Sequence, residues 1–132
     1  MPKSVAEKLL IKPNTAVWVS APEHRGLIEP LPDGATHVTG PGKARTAVVF
    51  AADESSLRAM LDKHKAGLAA PEAFWVAYPK ANRTDINRDS LWPILAEYGM
   101  RPNSQVAIDD VWSALRFRVL KPGEVFDPVQ AG

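Results

Sequence analysis

The chain has 132 residues, 16 basic and 15 acidic, for a net charge of +1, and it contains no cysteine. That length suits one domain able to bury a core without covalent staples. The missing thiol excludes disulfides, thiolate zinc sites, iron–sulfur clusters and cysteine nucleophiles, and the near balance of charge argues against wholesale nucleic-acid or membrane binding.

The N-terminus reads MPKSVAEKLLIKP, and its longest apolar run, Leu9 to Ile11, is too short for a signal-peptide core or a membrane span. Together with the lack of cysteine, this leads to the expectation of a cytoplasmic protein with no membrane partner. Ser4 and Glu7 have the spacing of a capping box, opening a short helix that must stop before Pro13. Thr15 to Ala21 is almost continuously apolar, the pattern of a strand covered on both faces. Pro22 suits the start of a helical turn that Gly26 closes. Between Glu29 and Lys43 the prolines and glycines leave room only for a short strand near Thr36 to Val38.

A second buried strand is expected at Thr46 to Ala51. Asp53 then caps a helix whose Leu57, Met60, Leu61 and Leu68 share one face, and which Gly67 and Pro71 end. Ala73 to Tyr78 is a third strand, apolar at every position. The next helix is expected to be capped by Ser90, with Pro93 in its first turn and Gly99 at its end. Short and long strands follow at Val106 to Ile108 and Val111 to Leu120, joined by a turn at Asp109 and Asp110. The long strand alternates, so it is expected at an edge where Arg116 and Arg118 discourage further pairing. Residues 121–132 read as a loose tail.

Three doubly buried strands separated by helices imply an α/β fold, a small Rossmann-like three-layer sandwich of mostly parallel sheet with an antiparallel C-terminal edge strand. In such a sheet ligands gather at the C-terminal rim of the strands. That rim should carry Ser20, Asp53, Lys80, Asn82, Arg83, Asp85, Arg88 and Asp109. The bland reading stands beside the functional one: loops leaving strands are polar because water bathes them, Asp53 and Ser90 are needed as caps, and Asp85 can pair with Arg83 or Arg88.

Other motifs fail on spacing. Gly40-Pro41-Gly42-Lys43 lacks the glycine and hydroxyl positions of a phosphate loop, and no G-x-G-x-x-G follows the first strand, so no cofactor is expected. His24, His37 and His64 lie in different elements without paired ligand spacing, so no metal is expected, and His64 reads as a solvated helix residue. Trp112 shares a strand face with Arg116 and Arg118. It either stacks on a base or a partner protein or, as we favour, lies under the N-terminal helix.

Three strings stand together: WVAYPK from Trp75, DINRDSLWPILAEYGM from Asp85 and DDVWSALRFRVLKPGE from Asp109. With them the chain resembles a family of small bacterial proteins classified as a domain of unknown function. The resemblance runs from the LLIKPNTAVWV opening to the DDVWSALRFR strand. It implies a single-domain bacterial cytoplasmic protein and transfers no catalytic residue.

The leading expectation is a non-catalytic module, leaning against an enzyme, that uses the rim at Lys80 to Asp89 to engage a small anion or a protein partner. The alternative is a small enzyme acting on an anionic metabolite. There Lys80 or Arg88 binds substrate and Asp53, Asp85 or Asp109 transfers a proton. A third possibility is a homodimer through the last strand or the Trp112 face.

Overall fold

The computed structural model describes residues 4–80, 84–120 and 123, and of Arg88 the backbone alone. Asn82 and Arg83 therefore lie outside the described residues, as does the expected tail apart from residue 123.

The first helix, α1 (Val5–Lys8), is a single turn closed by the expected capping box of Ser4 and Glu7. Strand β1 (Ala16–Val19) leads into a 3-10 helix at Pro22–Ile28, and β2 (Thr36–His37) is only two residues long. A 3-10 turn at Pro41–Lys43 precedes β3 (Thr46–Phe50). Helix α2 (Glu54–Lys63) has Asp53 as its N-cap, and a 3-10 turn at Lys65–Gly67 follows. Then come β4 (Ala73–Pro79), α3 (Arg88–Ala96), β5 (Met100–Ala107) and β6 (Trp112–Val119).

The six strands form one sheet in the order β2-β1-β3-β4-β6-β5. The first four are mutually parallel, while β6 runs antiparallel to both of its neighbours. The Rossmann-like, mostly parallel sheet with an antiparallel C-terminal end is thus observed. Period-two alternation sorts its side chains to two cores. Ala47, Val49, Phe74 and Val76 meet Leu57 and Leu61 of α2 and Leu91, Ile94 and Leu95 of α3. Val17, Val48, Ala73 and Trp75 meet Ala6, Leu9 and Ile11 at the N-terminus and Ile28 of the long 3-10 helix. Trp75 Nε1 donates to the Leu9 carbonyl at 3.0 Å, tying that thin second layer to the sheet.

Two local expectations change. The outermost antiparallel position belongs to β5, while β6 lies inside, between β4 and β5. Ser113, Ala114, Leu115 and Phe117 are buried, so β6 is covered on both faces despite its arginines. Strand β5 is polar because it is the exposed edge, where Pro102 and an adjacent register shift are tolerated. Its backbone is already paired on both sides, so β6 offers no free strand edge to a second copy. Helix α3 starts earlier than expected: Asn87 is the cap, and Ser90 stands three residues in, completing the box from the other side. Among the described residues no helix is long and apolar enough to cross a membrane.

Candidate functional site

The rim residues expected from sequence are mostly spent on the fold. Asp53 Oδ1 accepts from Ser56 N–H at 2.8 Å. The hydrogen bonds from Ser56 hold its carboxyl below the usual carboxylate range. Asp85 Oδ1 accepts from Glu54 N–H at 2.8 Å, so two carboxylates occupy the α2 N-terminus, where an anion would otherwise be drawn. Asp109 Oδ1 accepts from Val111 and Trp112 N–H at 2.8 and 2.7 Å, shaping the β5–β6 turn. Lys80 is half-buried, and its N–H extends the β4–β6 ladder to the Val111 carbonyl at 2.7 Å. The structure brings Asp53 and Asp85 together at one helix end. Asp109 is held separately, in the β5–β6 turn.

Ser20 is different. Its Oγ accepts from Phe50 N–H at 2.8 Å, where β1 and β3 emerge from the sheet. This is the topological switch point: the chain leaves β1 for β2 on one side and resumes at β3 on the other. Next to it is a cavity of about 230 Å³, whose walls include Trp18, Ser20, Arg25, Thr39, Lys63 and His64. A second compartment of about 320 Å³ shares Thr39, Lys63 and His64 and is closed by Lys43, Gly42 and Gly67. The two make one groove over the exits of β1 and β2.

Local sequence explains each wall. Lys63 and His64 are at the end of α2, carried there by the helix that packs Leu57 and Leu61 on the sheet. Arg25 rides on the 3-10 helix that Pro22 starts, and its Nε is buried with no hydrogen-bond partner among the described residues. The Gly40-Pro41-Gly42-Lys43 turn lies against Lys65–Gly67. A Cβ on Gly67 would meet Gly42 N at 2.9 Å, so glycine is required for that approach.

His64 sits at the junction of the two compartments. Its ring tilts against Trp18 with centroids 4.7 Å apart. Burial, and secondarily the Lys63 charge, push its pKa below the ordinary histidine value of 6.5. The imidazole is therefore neutral near pH 7 and able to accept a proton. Among the described residues no carboxylate lines either compartment, whereas Arg25, Lys43 and Lys63 do. Chemically, the groove offers cations for an anion and one neutral base.

Sequence reasoning missed Arg25, Lys63 and the role of His64, because nothing along the chain shows that the end of α2 meets the exit of β1. Trp112 lies on the face of the sheet that holds the N-terminal helix. It packs edge-on to Phe50 at 5.2 Å and beside His24 at 5.2 Å, which also accounts for His24 as an aromatic packing residue.

No family profile matches the chain, and no curated protein matches it. Among solved structures, a protein of the NADB-Rossmann superfamily from Streptococcus agalactiae is similar over 90% of this chain and 68% of its own, with TM-score 0.55 and 8% identity. An uncharacterized protein from Listeria monocytogenes serotype 4b is similar over 96% and 72%, with TM-score 0.55 and 11% identity. A Streptococcus pneumoniae protein named as a candidate tRNA (m1A22) methyltransferase is similar over 87% and 67%, with TM-score 0.51 and 11% identity. These likenesses establish the Rossmann-like fold. One neighbour with this frame is named as a candidate methyltransferase, which runs against the expectation of a non-catalytic module and the leaning against an enzyme.

Proposed function

We propose that the chain is a small enzyme acting on an anionic metabolite in the groove over β1 and β2, with Arg25 and Lys63 holding the anion and His64 moving a proton. The observation that carries this reading is the position of His64, neutral and ring-packed between two cation-lined compartments. Lys63 neighbours His64 in sequence, so one element presents both the charge that binds and the base that reacts. Ser20 stands on the same wall, with its hydroxyl oxygen fixed by Phe50 N–H and its proton available to a substrate oxygen. The carboxylates first suited to proton transfer, Asp53, Asp85 and Asp109, fit that work less well because each already accepts from backbone N–H groups that shape the fold.

The residues do not fit a nucleotide cofactor. The turn after β1 reads Ser20-Ala21-Pro22, with no glycine to admit a pyrophosphate, and it opens a 3-10 helix rather than an α-helix. Beyond β2 stand Val38, Thr39 and Gly40, with no carboxylate for a ribose hydroxyl; the nearby Glu29 faces His37 at 3.6 Å. No step here runs through such a group. A cysteine-free chain suits a reducing cytoplasm, and we keep that placement, with membership of the small bacterial family, as part of the proposal.

A thermal-shift screen of anionic metabolites tests the reading. Arg25→Gln and Lys63→Gln should each weaken a hit by about tenfold. His64→Gln should preserve binding while lowering turnover by about a hundredfold or more, the usual share of a general base. No anion-dependent shift in the wild type, or unaltered shifts in the Arg25 and Lys63 variants, would sink it. Saturable stabilisation by S-adenosylmethionine would instead favour methyl transfer.

A further inference from the structure

At the opposite end of the sheet, where β3 and β4 begin, a separate cavity of about 270 Å³ opens between the strands and the chain leaving α1. Its walls include Lys12, Arg45, Thr46, Glu72 and Arg116. Thr46 is fully buried at 0% exposure, and its hydroxyl has no hydrogen-bond partner among the described residues. Arg116 Nε is in the same condition, while its Nη2 donates to the Glu72 carbonyl at 3.3 Å. Strand register sets Thr46 beside Ala73 and Arg116 beside Trp75, and Ala73 and Trp75 both face the layer that holds α1. The two unsatisfied groups thus belong to one wall.

The chemistry of that wall is one-sided. Thr46 offers a hydroxyl proton, Arg116 an N–H, and Lys12 and Arg45 add positive charge. The one carboxylate among the described residues of this wall, Glu72, is already held by Arg45 at 2.8 Å. A ligand suited to this cavity brings acceptors only, and its negative charge offsets three cations against a single acid. Buried donors left unpaired are unfavourable, and a fold keeps them most readily where something completes them.

We propose that this cavity is a binding site for a small oxyanion, distinct from the groove over β1 and β2 and held chiefly by Arg116 and Thr46. Phosphate and carboxylate share the required chemistry, so the test runs parallel titrations of the whole chain with inorganic phosphate and with acetate at constant ionic strength, followed by amide NMR. Saturable shifts are expected at Thr46, Ala73 and Arg116, with a dissociation constant of about 1 mM for the better ion. The ion that binds tighter identifies the source, tetrahedral or planar.

Thr46→Val keeps the shape and removes the hydroxyl. It should weaken binding by about tenfold and leave the melting temperature without ligand unchanged or higher. Arg116→Gln should weaken binding at least as much. Lys12→Gln, on an exposed residue, should weaken it by about threefold. Lys63→Gln, in the other groove, should leave these shifts untouched. Absence of saturable shifts with both ions, or the same constant in Thr46→Val and Lys12→Gln, overturns the proposal.

Discussion

At the scale of the single residue, His64 turns on its neighbours rather than on its own helix. Along the chain it follows Lys63 and precedes Lys65, which reads as a solvated cationic stretch. In space Trp18 covers it, and burial disfavours its charged form. The consequence for pH has a definite sign. With the folded pKa below 6.5, the unfolded chain binds this proton first as pH falls. Stability should therefore decline from about pH 6.5 downward and level off once the folded form is protonated too. Denaturant midpoints between about pH 8 and about pH 5 would show it as a wild-type slope reduced in His64→Gln. Turnover should likewise persist below the pH at which an ordinary histidine is protonated. Asp109 has a structural part instead: its Oδ1 accepts from two backbone N–H groups. Asp109→Asn keeps an acceptor oxygen and should preserve stability and activity, whereas Asp109→Ala should cost about 1 kcal/mol. Urea unfolding and an activity assay separate the two variants; loss of activity in Asp109→Asn alone would restore Asp109 to proton transfer.

At the scale of the element, apolar continuity was a sound guide and alternation was not. Thr46 to Ala51 and Ala73 to Tyr78 were legible as inner strands because both of their faces are covered, so every position is apolar. The alternation of β6 pointed to an edge, yet β5 pairs along its outer side and buries it. Arg116 survives there by reaching the Glu72 carbonyl at the end of the sheet. Strand β5 was barely visible beforehand, since an exposed edge carrying Pro102, Asn103 and Ser104 has no hydrophobic signature. The two 3-10 turns that wall the groove depend on close backbone contact between Gly42 and Gly67. Gly67→Ala places a Cβ 2.9 Å from Gly42 N, against backbone that cannot yield. We expect a loss of about 1–3 kcal/mol in equilibrium unfolding, with ligand affinity at Lys43 and Lys63 falling in parallel. Unchanged stability would mean that the turns do not pack as described.

At the scale of the whole molecule, stability is concentrated in the middle of the sheet. Strands β3 and β4 are paired on both sides and sandwiched between two apolar layers, while β2 is a two-residue edge. Native-state hydrogen exchange should find the amides of Val48, Val49, Trp75 and Val76 opening only with global unfolding, and that of Val38, which pairs β2 to the Val17 carbonyl, opening locally. Equal protection at Val38 and Val49 would contradict this ordering. It also fits the site, because the groove lies beside the least stable edge, where ligand entry asks for little unfolding.

The amino-acid sequence by itself determined the fold class, the three inner strands, the cap at Asp53 and the exclusion of thiol chemistry. Each of these rests on the period of burial or on local backbone hydrogen bonding, which neighbours along the chain report directly. Only the tertiary structure decided which strand lies at the edge and how the rim residues are used. It spent Asp53, Asp85 and Asp109 on backbone N–H groups and brought Arg25, Lys63 and His64 to one groove. Strand order and the meeting of distant loops depend on packing between elements far apart in sequence, and no local pattern carries that information.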